Sequence, residues 1–291
     1  MLVKTKNFSD AMLRRFQGYQ RLSFEILEET ASNLTEGVTE RQVARELVKR
    51  YREQGVESFF HLPVVLFGKR TALPGEWSIG KFFPRDNGLR RDDGVILDAA
   101  PLFQGYLVDT SYSFCFGSSA AHRSMMQHLS TYREHVCEAV NRGDSFRQIA
   151  LDVNASLSRA GYEPVHGKHP GAVLGHRAVK TPRVPGAMRL QGFDAISLSW
   201  FRLTDGLASM RLANRSPLWN TSKSSDHKPH DGLWLVEPHA GAEEGGAKWE
   251  EILVIERGQA RWLDDTPPHV RQWQQIKSRQ AYQPQSGAQS A

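Results

Sequence analysis

Four carboxylates stand at the ends of apolar runs that have the composition of β-strands. Asp98 ends VILD, and Asp109 lies in YLVDTSYSF, beyond the turn at Gly105-Tyr106. Glu237 ends GLWLVE, and Glu250 precedes ILVIE. Such carboxylates are costly to desolvate unless they are paired or bind a cation. Adjacent antiparallel strands would bring Asp98 and Asp109 together, and convergence of all four favours a multivalent cation that offsets their repulsion.

A histidine-rich segment, VHGKHPGAVLGHRAVKTP, offers a nitrogen ligand for such a site. His176 follows a glycine on a predicted strand, and we expect it to bind the metal. His169 is the alternative ligand. Carboxylates with one imidazole suit manganese, iron, cobalt or zinc. Glu251 should point to the opposite face of its strand from Glu250, so we expect it to be structural.

Amphipathic helices must position these strands. Apolar spacing predicts a helix from Ser9 to about Asn33, and the capping box Thr39–Gln42 opens a second that ends at Gly55. Further helices are predicted over 120–141 and 145–159, and strands over 59–67, 94–99, 105–116, 171–179, 232–237 and 251–256. This order lacks strict βαβ alternation and predicts an α+β fold, with an antiparallel sheet covered by helices.

Residues 183–230 are predicted to hold a short helix and then an exposed loop, NRSPLWNTSKSSDHKPHDG. Residues 1–276 are expected to form a single domain, and 277–291 a disordered tail. Trp219, Trp234 and Trp249 lie near the motifs, and we expect them to pack in the core rather than to line a pocket.

In order and spacing, these motifs resemble the methionine aminopeptidase, creatinase and prolidase family of pita-bread metallopeptidases. Within that family, the sequence most resembles the Xaa-Pro aminopeptidase-like members that have a single domain. The family motif has two Asp separated by ten residues, Gly-His, a strand ending in Glu-Pro, and a Glu that opens a strand. Here these are Asp98, Asp109, Gly175-His176, Glu237-Pro238 and Glu250. The resemblance covers about residues 10–265, with an uncertain match over 183–230. It implies the pita-bread catalytic domain, a curved antiparallel sheet covered by helices.

The resemblance also implies a dinuclear metal-dependent hydrolase with two divalent ions. Asp98 would bind one ion, Asp109 and Glu250 would bridge the pair, and His176 with Glu237 would hold the second. A bridging hydroxide would be the nucleophile, and Glu237 would carry its proton to the leaving amine. His169 and His176 have the family spacing of a metal-binding and a substrate-binding histidine, so their roles can exchange. In either assignment, the histidine that does not bind the metal contacts the substrate. His169 is the candidate for that catalytic role.

Three departures from the family pattern concern the walls of the pocket. LPGEWSIGKFFPRDNGLRRDDGVILD contains no histidine before Asp98, although the family usually has one there, and the nearest upstream is His61. The stretch between the histidine segment and Glu237 is long. The interval from Glu237 to Glu250 is short, at 13 residues. Such changes are compatible with a retained metal site and a changed substrate.

The composition is that of an ordinary globular protein, with 291 residues, 40% of them hydrophobic, and a formal charge of +5. The basic residues are spread along the chain, so we expect no nucleic-acid partner. Because apolar runs are far shorter than the ~20 residues of a membrane helix and the N-terminus lacks a signal-peptide core, no membrane partner and a cytoplasmic location are expected. A homodimer would be unsurprising.

Three functions are compatible with the sequence. The first is a metallo-aminopeptidase of Xaa-Pro type that acts on short peptides. The second is a metalloenzyme of the same fold acting on a non-peptide small molecule by C–N hydrolysis, lyase or oxidative chemistry. The third is a non-catalytic binding module. Metal content and hydrolysis of X-Pro peptides distinguish the three.

Overall fold

The computed structural model describes residues 3–182, 189–190, 192–212 and 215–282. Its α-helices are α1 (Asp10–Ser32), α2 (Glu40–Glu53), α3 (Ala120–Arg142), α4 (Phe146–Arg159), α5 (Ala195–Ser209) and α6 (Pro268–Tyr282). Its strands are β1 (Ser58–Phe59), β2 (Val64–Phe67), β3 (Gly94–Ala99), β4 (Pro101–Phe103), β5 (Tyr106–Leu107), β6 (Thr110–Cys115), β7 (Glu163–Pro164), β8 (Val173–Ala178), β9 (Arg189–Leu190), β10 (Phe193–Asp194), β11 (Leu218–Asn220), β12 (Gly232–Val236), β13 (His239–Ala242), β14 (Gly245–Lys248), β15 (Glu251–Glu256) and β16 (Gln259–Trp262). The α+β class is confirmed.

The helix starts follow the local capping signals. Before α2, the Thr39 hydroxyl accepts a hydrogen bond from the Gln42 N–H at 3.3 Å, and the Gln42 side chain accepts one from the Thr39 N–H at 2.8 Å. Ser145 likewise caps α4 by accepting from the Gln148 N–H at 3.1 Å. These short-range bonds satisfy backbone donors that lack a partner inside the helix. The predicted positions of α1 to α4 are confirmed.

A sheet with the order β11-β8-β12-β15-β16 forms the middle of the molecule. Leu233 and Leu235 of β12 belong to a core that includes side chains of α1 and α2. Trp234 and Val236 belong to a second core, with side chains of α3 and α4. Because successive strand residues face opposite sides, a strand with helices on both faces has a continuous apolar sequence.

A smaller sheet, β2-β3-β6, meets the central sheet where the carboxylates converge. Strand β3 pairs antiparallel with β6, and this register places Asp98 opposite Ser111. Ser111 also forms a bridge with Glu250, just before β15. The prediction that adjacent antiparallel strands position the Asp98 and Asp109 segments is therefore confirmed. Among the described residues, β1 with β10 is the one parallel strand pair.

The segment from 183 to 230 contains the predicted helix, α5, but the loop prediction after it is wrong in part. Strand β11 pairs with β8, and Trp219 in its middle is fully buried. The Trp219 indole N–H donates to the carbonyl of Phe146 at 2.7 Å, so a contact distant in sequence positions this short strand. Trp234 and Trp249 are also buried in the second core, as expected. Residues 183–188, 191 and 213–214 of the segment lie outside the described residues.

The C-terminal helix α6 continues to Tyr282, past position 277, at which the sequence predicted a tail. Residues 283–291 lie outside the described residues. None of the helices in the described ranges is long and apolar enough to cross a membrane.

Candidate metal centre

Strand ends bring the four predicted carboxylates into one buried cluster. Asp98 lies in β3, Asp109 directly precedes β6, Glu237 directly follows β12, and Glu250 directly precedes β15. All four side chains are buried. The structure therefore brings together the acidic residues that the sequence pattern selected.

The ammonium group of Lys248 lies among three of these carboxylates. Its Nζ donates to Asp98 Oδ2 at 2.6 Å, Glu237 Oε2 at 2.9 Å and Glu250 Oε2 at 3.1 Å. Burial lowers the pKa of Lys248, but the surrounding carboxylates raise it well above its usual range. Sequence reasoning missed this residue, although Lys248 and Glu250 are two apart on an extended chain and therefore share a face.

Three carboxylate oxygens of the cluster are buried and have no hydrogen-bond partner among the described residues. They are Asp98 Oδ1, Asp109 Oδ1 and Glu250 Oε1. Burial, followed by the charge of Asp109, raises the pKa of Glu250 well above its usual range despite the neighbouring Lys248. In its fully ionised form the cluster would thus carry more negative charge than its protein partners offset, which is a physical reason for a bound cation.

His176 presents a nitrogen lone pair to the same place. Its Nδ1 donates to the carbonyl of Arg177 at 3.2 Å, so in the neutral tautomer, the form that binds metals, Nε2 carries the lone pair. This Nε2 is 3.5 Å from Asp109 Oδ2 and 3.7 Å from Glu250 Oε1. These three residues offer ligand atoms within 4.8 Å of one another. A backbone carbonyl at the other ring nitrogen is typical of metal-binding histidines.

His61 reaches the cluster from the loop between β1 and β2. Its Nε2 is 3.2 Å from Asp109 Oδ2 and 3.7 Å from Asp98 Oδ1, and these three residues form a second group of possible ligands. Burial lowers the pKa of His61, but the charges of Asp109 and Asp98 outweigh it and raise the pKa to about 10. The sequence thus lacks a histidine shortly before Asp98, but the fold supplies one from farther upstream.

His169 belongs to a hydrogen-bonded chain with Glu237 and His239. His239 Nε2 donates to the carbonyl of Thr71 at 2.7 Å, so its Nδ1 accepts from His169 Nε2 at 2.9 Å. The other ring nitrogen of His169 is 2.7 Å from Glu237 Oε2. Burial raises the pKa of Glu237, but Lys248 and then His169 bring it well below its usual range. Both nitrogens of His169 are therefore used in hydrogen bonds, and the paired Glu237 is ionised.

Glu251 points away from the cluster, as the alternation of a strand requires. Its carboxylate accepts from Arg133 Nε at 3.1 Å and lies 2.7 Å from His269 Nε2. These partners come from α3 and α6, so Glu251 links two helices to the sheet. The prediction of a structural role is confirmed.

Comparison with known proteins identifies the family of the chain. Residues 14–257 match the model of metallopeptidase family M24. The chain belongs to this family. The resemblance drawn from the motifs is thereby confirmed, and the polar cluster described above lies within the matched M24 range.

Solved structures of aminopeptidases and a prolidase share the fold of this chain. An X-Pro aminopeptidase from Thermotoga maritima has a TM-score of 0.65 at 17% identity, covering 91% of this chain and 63% of its own. A prolidase from Pyrococcus horikoshii gives 0.62 at 17% identity, covering 90% and 63%. A methionine aminopeptidase from Rickettsia prowazekii gives 0.60 at 13% identity, covering 89% and 99%. The expected pita-bread fold is confirmed.

Curated relatives of this M24 chain are uncharacterized peptidases. One from Staphylococcus saprophyticus is 25% identical over 169 residues, which are 58% of this chain and 45% of the relative. One from Staphylococcus aureus is 24% identical over the same shares. The chain thus matches less than half the length of these relatives.

Proposed function

We propose that the protein is a divalent-metal-dependent hydrolase that removes the N-terminal residue of short peptides, with a preference for proline in the second position. The observation that carries this proposal is the group formed by Asp109, His176 and Glu250, which offers an imidazole lone pair and buried carboxylate oxygens to one point. Membership in family M24 and the fold shared with X-Pro aminopeptidases and prolidases support it.

These residues fit a divalent cation by chemistry and by spacing. Asp109 and Glu250 supply hard oxygen donors, and His176 supplies a neutral imidazole, a set that suits manganese, cobalt, iron or zinc. Asp98 would add its buried Oδ1, and Glu237 completes the predicted ligand set. Bound there, the cation would lower the pKa of a water molecule and polarise the scissile carbonyl.

Glu237 and His169 are suited to handle protons beside that cation. Glu237 is ionised and faces the cluster, so it can accept a proton from water and return it to the leaving amine. His169 donates to Glu237 from one ring nitrogen and to His239 from the other, which holds the Glu237 carboxylate in place. We assign the catalytic roles to Glu237 and His169, and the direct metal contact to His176 rather than His169.

Peptide hydrolysis after metal loading tests this function. Purified protein loaded with Mn²⁺ or Co²⁺ should release the first residue of X-Pro peptides, and a chelator should stop the release. Because a lost ligand should cost more than the ~10–100-fold typical of its supporting partners, Asp109→Ala should lower kcat/KM more than about 100-fold and reduce bound metal. Asp86→Ala, at an exposed carboxylate, is the matched control.

The other outcomes identify the alternatives. Full metal occupancy without cleavage of a broad peptide panel would favour a non-peptide small-molecule substrate. Protein that binds no metal and cleaves nothing would favour a non-catalytic binding module. Full activity of Asp109→Ala would contradict the proposed site itself.

A further inference from the structure

The ammonium group of Lys248 divides the carboxylate cluster into two halves. Asp98 and Glu250 each direct one oxygen to Nζ, at 2.6 and 3.1 Å. Their other oxygens, Asp98 Oδ1 and Glu250 Oε1, have no hydrogen-bond partner in the described part of the chain. One half of the cluster therefore already holds the Lys248 ammonium, whereas the side chains near the oxygens of the other half are the histidines His61 and His176.

The half of the cluster that contains the Lys248 ammonium has no room for a metal ion as well. A first-row divalent ion binds carboxylate oxygens at about 2.0–2.2 Å. An ion that used Asp98 Oδ2, Glu237 Oε2 and Glu250 Oε2 would share all three oxygens with Nζ, and the two cations would repel each other at close range. Lys248 is only 2% exposed, so moving its charge away from these oxygens would leave a buried ion unpaired.

The carboxylate oxygens that Lys248 does not contact lie in the other half. His176 Nε2 is 3.5 Å from Asp109 Oδ2 and 3.7 Å from Glu250 Oε1, and no Lys248 contact involves these atoms. With all four carboxylates ionised, the Lys248 ammonium would leave three negative charges, and a protonated His61, 3.2 Å from Asp109 Oδ2, would leave two. One divalent cation would balance these two charges, whereas two divalent cations would make the cluster positive.

We propose that Lys248 is a built-in cation that replaces one of the two metal ions of the family site, so that this protein binds a single divalent cation between Asp109, His176 and Glu250. The proposal rests on the proposed function and changes its metal requirement. Lys248 also becomes a positioning residue, because its ammonium holds the Glu237 carboxylate beside the remaining cation.

Metal stoichiometry tests the proposal without recourse to activity. The protein, purified without chelator and dialysed against Mn²⁺, is analysed by elemental mass spectrometry and by electron paramagnetic resonance. Wild type should hold one Mn²⁺ per chain with the spectrum of an isolated ion. Lys248→Met removes the charge but keeps an unbranched side chain, and it should hold two Mn²⁺ ions with the spectrum of an exchange-coupled pair.

Two variants serve as controls. Lys248→Arg keeps the positive charge and should bind one ion. Lys180→Met changes a partly buried lysine that packs over the Tyr106 ring, outside the cluster, and should also bind one ion. Circular dichroism checks the fold, and Lys248→Gln replaces Lys248→Met if the latter does not fold.

Two coupled ions in wild type, or equal stoichiometry in wild type and Lys248→Met, would overturn the proposal. In either case cleavage of X-Pro peptides would leave the proposed function standing. Absence of metal from wild type and Lys248→Met alike would overturn the proposed function together with this inference.

Discussion

At the residue scale, the two candidate histidines differ in what their ring nitrogens already contact. His176 uses Nδ1 on a backbone carbonyl and keeps a lone pair on Nε2, whereas both nitrogens of His169 are engaged, by Glu237 and by His239. We therefore expect His176→Ala to lose the bound metal. His169→Ala should keep the metal and lose kcat, because Glu237 loses the donor that holds it.

Elemental analysis and peptide hydrolysis on the two variants check this prediction. His135→Ala, on α3, is a control for the loss of an imidazole elsewhere in the chain. Loss of metal from His169→Ala alone would contradict this assignment. His169 would then be the metal ligand and His176 the substrate contact, the alternative that the sequence left open.

Much of the cluster was predictable from sequence because its carboxylates lie at the ends of apolar strands. A charged residue in such a place is costly to bury and therefore indicates a binding site. His61 and His239 were not predictable in this way. His61 lies in a loop far upstream of Asp98, and tertiary packing alone brings it to Asp109. Lys248 was overlooked because a lysine at a strand end is usually solvated, and its burial depends on carboxylates from three other segments.

At the scale of elements, Arg133 connects α3 to β15 and to the segment before α6. Its guanidinium donates to Glu251 at 3.1 Å and to the carbonyl of Asp264, while Glu251 is fully buried. Arg133→Met would leave that carboxylate with His269 as its remaining described side-chain partner. Removing one partner of a buried pair costs about 3–5 kcal/mol, so we expect a loss of about 3 kcal/mol in the free energy of unfolding.

Urea denaturation measures this loss. Glu256→Gln changes an exposed carboxylate of the same strand and should alter the free energy of unfolding by less than about 0.5 kcal/mol. Metal content should stay at the wild-type value in Arg133→Met, because Glu251 faces away from the cluster. A stable Arg133→Met that loses its metal would contradict the structural role of this ion pair.

The elements that sequence predicted are those with local signals. Helices α2 and α4 begin at Ser or Thr caps, and the helical period of α1 repeats over many turns. Strand β11 has three residues, too few to show alternation, and it exists because Trp219 is buried against Phe146 and Trp234. A short strand of this kind is specified by its partners in space rather than by its own sequence.

At the scale of the whole molecule, buried histidines make stability depend on pH. Burial lowers the pKa of His166 to about 4, and burial with the nearby charge of Arg177 lowers that of His230 to about 2. In the unfolded chain both should titrate near the ordinary value of 6.5. Below that pH the unfolded state binds more protons, so the folded state loses stability on acidification. The raised pKa of His61 has the opposite effect. Protonated His61 stabilises the folded state fully below pH 6.5, and this stabilisation is lost as the pH rises towards 10.

The free energy of unfolding should therefore fall as the pH is lowered from 6.5 to 4, by up to about 1.4 kcal/mol per pH unit for each of these two histidines. His230→Phe keeps a ring beside Phe146 and Trp234 but cannot bind a proton. The free energy of unfolding of this variant should therefore fall less steeply with decreasing pH, by about the contribution of one histidine. Urea titrations at half-unit pH steps measure both slopes. Between pH 7.5 and 8.5 the slopes of wild type and variant should coincide, because His230 is neutral in both states. Equal slopes from pH 6.5 to 4 would show that His230 does not govern the acid sensitivity of the fold.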